Sequence, residues 1–109
     1  MIITKIRGES MIGAIIGDIV GSRFERFNIK SKDFDFFLKG RCRFTDDSVM
    51  SLAICAAFLR SDDGYKDLSD NAIKCMQELG KRYPLAGYGG FFSKWLRSKD
   101  PQPYNSFGN

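Results

Sequence analysis

Residues 44–60, Phe44-Thr45-Asp46-Asp47-Ser48-Val49-Met50-Ser51-Leu52-Ala53-Ile54-Cys55-Ala56-Ala57-Phe58-Leu59-Arg60, carry the reading of the fold. The stretch opens with a hydroxyl and two carboxylates, then runs apolar on nearly every side. A threonine before a helix takes an orphan backbone N–H with its side-chain oxygen, and acids in the first turn suit the positive end of the helix dipole. The pattern therefore predicts a helix beginning just after Thr45. Because its residues are apolar all round, it is expected to be buried on every side and to need helical partners.

The partners lie on either side in the chain. Upstream, Ile12, Ile15, Ile16, Ile19 and Val20 fall at helical spacing from Met11 to about Ser22, and Gly13, Gly17 and Gly21 recur every fourth residue on one stripe. Glycine within a helix costs about 1 kcal/mol relative to alanine, so this stripe is expected to meet another backbone at close range. Downstream, Ala72, Ile73, Met76, Leu79, Gly80 and Tyr83 mark a third helix from about Ser69 to Tyr83, which Pro84 stops. Gly87, Gly89 and Gly90 then precede a short aromatic helix, Phe91 to Arg97. Residues 23–44 are rich in charge and phenylalanine without a sustained period and read as a long loop, a feature that is usually functional in a compact domain. The expectation is an all-α fold. Residues 1–10 read as an upstream extension and 11–109 as the unit proper.

Composition narrows the chemistry. The 109 residues hold no histidine, which removes Ser-His-Asp and Cys-His nucleophile sites and the histidine-containing zinc motifs. Three cysteines without C-x-x-C spacing, and no leader-like segment, fit reduced thiols in a cytoplasm. The longest apolar run, from Met11 to Val20, falls well short of the roughly 20 residues that span a bilayer. Seventeen Lys and Arg against thirteen Asp and Glu leave a net charge of +4, but the cations are scattered among acids, which disfavours nucleic acid as a partner.

Carboxylates remain as the chemistry-bearing groups. Thr45, Asp46 and Asp47 together suit a hard cation such as Mg²⁺, which prefers carboxylate, hydroxyl and water oxygens. The same residues equally suit a plain N-cap, and spacing alone does not decide between the two. Asp18 sits in an otherwise apolar helix, as an exposed edge or a packed hydrogen bond. Glu25 lies between Arg23 and Arg26, where an ordinary surface ion pair would account for it.

Taken together, Met11-IGAIIGDIVGSRF-Glu25, Phe44-TDDSV-Met50 and the terminal Asn105-Ser106-Phe107-Gly108-Asn109 resemble, in order, the amino-terminal motifs of the ADP-ribosylglycohydrolase family, relatives of dinitrogenase reductase-activating glycohydrolase. The resemblance covers residues 11–109. It implies an all-α domain around a two-magnesium cleft that hydrolyses the bond between ADP-ribose and an arginine, a serine or another acceptor, carried on a protein or a small conjugate. By matching position, Thr45, Asp46 and Asp47 would be metal ligands, with Asp46 and Asp47 in the catalytic set. Glu25 would be the carboxylate closing over substrate and metal, and Gly108 and Asn109 would begin a loop touching the distal ribose and phosphates. Family members are more than twice as long and carry a second ligand element, Asp-x-Asp-Thr, near their carboxyl end. The expectation is accordingly an amino-terminal segment whose active site a complementing carboxyl-terminal segment would complete. The alternatives are a non-catalytic protein of the same fold, like the family's lens crystallin relatives, and a metal- or nucleotide-binding module without turnover.

Overall fold

The structure, a computed structural model, describes residues 2–36 and 41–106, with side chains from Met11 onward. It is all-α: α1 (Ile2–Gly21) continues into a 3₁₀ turn (Ser22–Phe24), and after the loop come α2 (Asp46–Arg60), α3 (Leu68–Arg82) and α4 (Gly90–Leu96). No strand occurs among the described residues, and none of their helices is long and apolar enough to cross a membrane. α1 starts nine residues before the Met11 at which helical spacing becomes visible. No proline interrupts Ile2–Gly21, so a helix can propagate through this mixed stretch without an amphipathic pattern to announce it.

α2 and α3 form the core. Ala53 and Ala57 of α2 and Cys75 of α3 are fully buried, with Leu68, Ala72, Met76 and Leu79 packed around them. Small side chains at the seam let the two helices approach closely, and the connecting turn is tied to both. Ser61 Oγ donates to the Ala57 carbonyl (2.7 Å), and Asn71 Nδ2 donates to Ser61 Oγ and Asp67 Oδ2 (3.1 Å each). α4 rests on α3 where Gly80 lies beneath the buried Leu96, and Gln77 Nε2 reaches the carbonyls of Trp95 and Ser98 (3.1 and 3.2 Å).

Two expectations are corrected. α2 is not buried on all sides: Val49, Ala53 and Ala57 are covered, but Leu52 and Phe58 are exposed and Leu59 is 81% exposed. A single partner, α3, covers one stripe, and α1 meets only part of another. Nor does the glycine stripe meet a backbone, because a Cβ at Gly13, Gly17 or Gly21 would touch nothing within 4 Å. α1 packs on α2 and on its own 3₁₀ turn, not on α3 or α4. The radius of gyration, 15.7 Å, exceeds the roughly 13 Å of a compact domain near 100 residues, as open helix faces require.

Candidate functional site

The first four donors of α2 can be followed one by one, since each N–H at a helix start lacks an intrahelical partner. Thr45 N–H donates to Asp18 Oδ2 (2.7 Å), Asp46 N–H to the Ala86 carbonyl (2.8 Å), Asp47 N–H to Thr45 Oγ1 (3.3 Å) and Ser48 N–H to Asp18 Oδ2 (3.2 Å). Two side-chain hydroxyls join them: Thr45 Oγ1 donates to Asp18 Oδ1, and Ser48 Oγ donates to Asp18 Oδ2 (2.6 Å). The N-cap expected at Thr45 is therefore present, and a carboxylate from α1 reinforces it across 27 residues of sequence. Thr45 and Ser48 are buried at this junction. With every donor at this helix start engaged, none is left for an anion, and the surroundings present acceptors.

The 3₁₀ turn carries the chain on from α1 and delivers Glu25 seven residues after Asp18 along a nearly continuous helical path, which keeps the two on one side. Carboxylate oxygens of Asp18, Glu25 and Asp47 consequently lie within 4.8 Å of one another. Among the described residues Glu25 forms no ion pair. The donor set is all oxygen, and its spread compares with the roughly 4 to 5 Å between opposite ligands of a Mg²⁺ or Ca²⁺ ion. Residues and spacing thus fit a hard cation, with Asp18, Glu25 and Asp47 as the groups whose oxygens converge.

Asp46 stands apart from this group and faces the neighbouring cleft. That cleft, about 540 Å³, is bounded by Asp46 and Asp47 at one end and by Met50, Met76, Phe92, Trp95 and Tyr104 along its walls. Phe92 and Trp95 stack at 5.4 Å between ring centroids with planes 15° apart, and Trp95 Nε1 donates to the Gln102 carbonyl (2.8 Å), which draws the Pro103–Ser106 stretch to the cleft edge. Burial pushes the Asp46 carboxyl up, and the adjacent Asp47 charge adds to this, outweighing the hydrogen bonds from Thr45 and the Asp47 backbone. Tyr88 is raised by burial and by the Asp46 charge. Asp18 moves the other way: burial raises it, but the hydrogen bonds from Ser48 and Thr45 prevail and hold it below the usual carboxylate range.

Of the residues singled out from sequence, Asp47 and Glu25 are brought together, Thr45 is hydrogen-bonded to the Asp18 carboxylate beside them, Asp46 lines the adjoining cleft, and Gly108 and Asn109 lie outside the described residues. Asp18 is the member that spacing did not place in the site. Its one sequence signal is an ionisable residue within the otherwise apolar Met11–Gly21 stretch of α1. No family model, curated protein or solved structure matches this chain.

Proposed function

We propose that the chain belongs to a magnesium-dependent hydrolase of the ADP-ribosylglycohydrolase type, cleaving the glycosidic bond between ADP-ribose and an acceptor. The observation that carries this reading is the convergence of Asp18, Glu25 and Asp47 within 4.8 Å beside the aromatic cleft that Asp46 and Asp47 border. These are the motifs on which the sequence resemblance rests. Their meeting in space is what a joint role demands.

Bound magnesium would supply charge stabilisation for ribose hydroxyls and for an attacking water. The chain's own residues have separate tasks. Thr45 and Asp47 offer acceptor oxygens from the start of α2. Glu25, exposed and without an ion-pair partner among the described residues, would orient a water or take its proton. Asp46, its carboxyl pushed up by burial, faces the ligand side of the cleft. The stacked Phe92 and Trp95 rings offer a flat apolar wall to a planar group. Substrates of this reading are ADP-ribosylated proteins or small ADP-ribose conjugates, and three cysteines in no disulfide among the described residues suit a cytoplasmic setting.

The test is release of ADP-ribose from an ADP-ribosyl-arginine or ADP-ribosyl-serine peptide, with and without Mg²⁺, alongside calorimetric titration of Mg²⁺ and ADP-ribose. With a complementing carboxyl-terminal segment supplied, magnesium-dependent release that Asp46→Ala or Asp47→Ala abolishes, and that Glu25→Gln lowers by about 10²–10⁴-fold, is expected. Binding without release would favour the non-catalytic module. Release unaffected by Asp47→Ala would remove the metal-ligand assignment.

A further inference from the structure

Residues 23–44 carry seven of the chain's seventeen cations against three of its thirteen acids, so the whole net charge of +4 sits on this one loop. Elsewhere the charges cancel. The base of the loop is tied: Arg43 N–H donates to Ser22 Oγ (3.0 Å), Arg23 Nη2 donates to the Asp35 carbonyl (2.5 Å), and Phe34 meets Phe24 edge-on at 5.4 Å between ring centroids. These contacts account for Phe24 and Phe34, which are partly buried. They do not involve the stretch between them.

That stretch, Arg26-Phe27-Asn28-Ile29-Lys30-Ser31-Lys32, holds three cations and no acid, and all seven residues are exposed. Glu25, Asp33 and Asp35 bound the positive patch without entering it. None of its three cations forms an ion pair among the described residues. Between them Phe27 is 80% exposed and Ile29 39%. An exposed apolar side chain means little by itself. Leu59 is as exposed as Phe27, but the cation beside it, Arg60, is paired with Glu78 (3.0 Å). At 26–32 exposed apolar groups and unpaired positive charge coincide.

We infer that residues 26–32 form a docking surface for an anionic lipid bilayer, with Phe27 and Ile29 entering the interface while Arg26, Lys30 and Lys32 meet the headgroups. A bilayer surface takes this combination, because apolar side chains settle at the acyl boundary while the negative surface potential draws the cations beside them. Arg41 and Arg43, exposed on the returning limb, add to the same charge. A protein partner would need a cavity or a strand edge to grip, yet the stretch lies in no helix or strand and lines neither of the clefts at α2. Single-stranded nucleic acid would need successive rings for its bases to stack on. Here one ring is followed by an aliphatic side chain that cannot stack. The inference does not depend on the cation reading above.

The experiment is flotation of the full chain with vesicles of phosphatidylcholine and phosphatidylserine in a two-to-one mixture, and with vesicles of phosphatidylcholine alone. Aggregated protein sinks and is not counted. The chain is expected to float with the anionic vesicles and not with the neutral ones. Most of that binding should vanish when salt rises from about 0.1 M to about 1 M, which shortens the screening length from about 10 Å to about 3 Å. Lys30→Gln combined with Lys32→Gln should weaken partitioning about 25-fold, about fivefold for each cation, and Phe27→Ser about tenfold. Leu59→Ser, which removes an equally exposed side chain beside a paired cation, should stay within about twofold, well below either loss.

Absence of flotation with the anionic vesicles overturns the inference, as does equal flotation with the neutral ones. Capture of a single-stranded oligonucleotide in place of vesicles would give the loop to nucleic acid and overturn it as well. A Leu59→Ser loss as large as that of Phe27→Ser would do the same, because general stickiness would then explain both.

Discussion

α3 and α1 both lean on α2, but by opposite means. At the α2–α3 seam Ala53, Ala57 and Cys75 are sealed from water and the contact is apolar and continuous. At the α1–α2 junction the strongest link is one carboxylate, Asp18, taking four hydrogen bonds from Thr45 and Ser48. Beside that junction an apolar groove of about 180 Å³ stays open between Ile15 and Ile19 on one side and Val49, Leu52 and Leu79 on the other. Ile12 and Ile16 are exposed on the same helix. The first contact supplies stability by burial. The second supplies orientation, and it holds the residues on which the proposed chemistry would depend.

The comparison breaks most severely at the seam. Ala53→Asp would place a carboxylate with no partner at a fully buried position. The penalty for an unpaired buried ion is several kcal/mol, against a total stability of about 5–15 kcal/mol for an ordinary domain. Loss of the cooperative melting transition by circular dichroism is expected. A transition close to that of the unmutated chain would show that the α2–α3 seam is not the core.

Asp18→Ala comes next. It strips a cap from α2 and leaves buried Thr45 and Ser48 donors without their acceptor, for a loss of about 2 kcal/mol. Urea unfolding at neutral pH measures it, and a change under a few tenths would mean that water replaces the carboxylate without penalty. Asp18→Asn, which keeps an acceptor for the convergent donors, should lose less.

Acid separates Asp18 from Asp46. Asp18 is held below its ordinary 3.8, burial being outweighed by the hydrogen bonds from Ser48 and Thr45. Its contribution to stability is therefore fully present above 3.8 and is lost as pH falls through the lowered folded value. Asp46 is raised above 3.8 by burial and the Asp47 charge, so its ionised form opposes folding at neutral pH, and that opposition is relieved as pH falls through the raised value. Urea unfolding as a function of pH should show Asp18→Asn flattening the acid-side loss. Asp46→Asn should steepen it, because a small compensating gain disappears. Parallel curves for both variants would contradict the opposed environments.

What could be read in the sequence follows from how local each cause is. α2, α3 and α4 begin and end within about a turn of their expected bounds, because Thr45, Pro84 and the glycines before Phe91 act on their own neighbours. The Thr45 cap and the acidic start of α2 were legible for the same reason. The site was only half legible. The partner of Thr45 is 27 residues away, and nothing in the spacing of α1 shows that Asp18 points at another helix. Burial failed in a related way. An apolar circumference on α2 states what the helix could bury, whereas the number of neighbours decides what it does bury, so Leu59 stays in water. Close approach was misplaced too: the position that needs glycine is Gly80, where a Cβ would sit 2.7 Å from Leu96 Cδ2.

The smallest expected effect returns to the glycine stripe of α1. Gly13 and Gly17 lie inside a continuous helix with open space where a Cβ would be built. Alanine there keeps the helical backbone and reduces the freedom of the unfolded chain, a gain of about 0.5–1 kcal/mol for each position. Gly80→Ala enjoys the same backbone gain but must displace the buried Leu96, and overpacking typically costs about 1–3 kcal/mol. The two substitutions should therefore move melting in opposite directions, Gly17→Ala upward and Gly80→Ala downward. Chemically they are the same change on the same kind of element, so only the neighbourhood differs. A fall in melting temperature for Gly17→Ala would mean that something packs on this face of α1 in solution, and the polar junction at Asp18 would then no longer be the helix's principal hold.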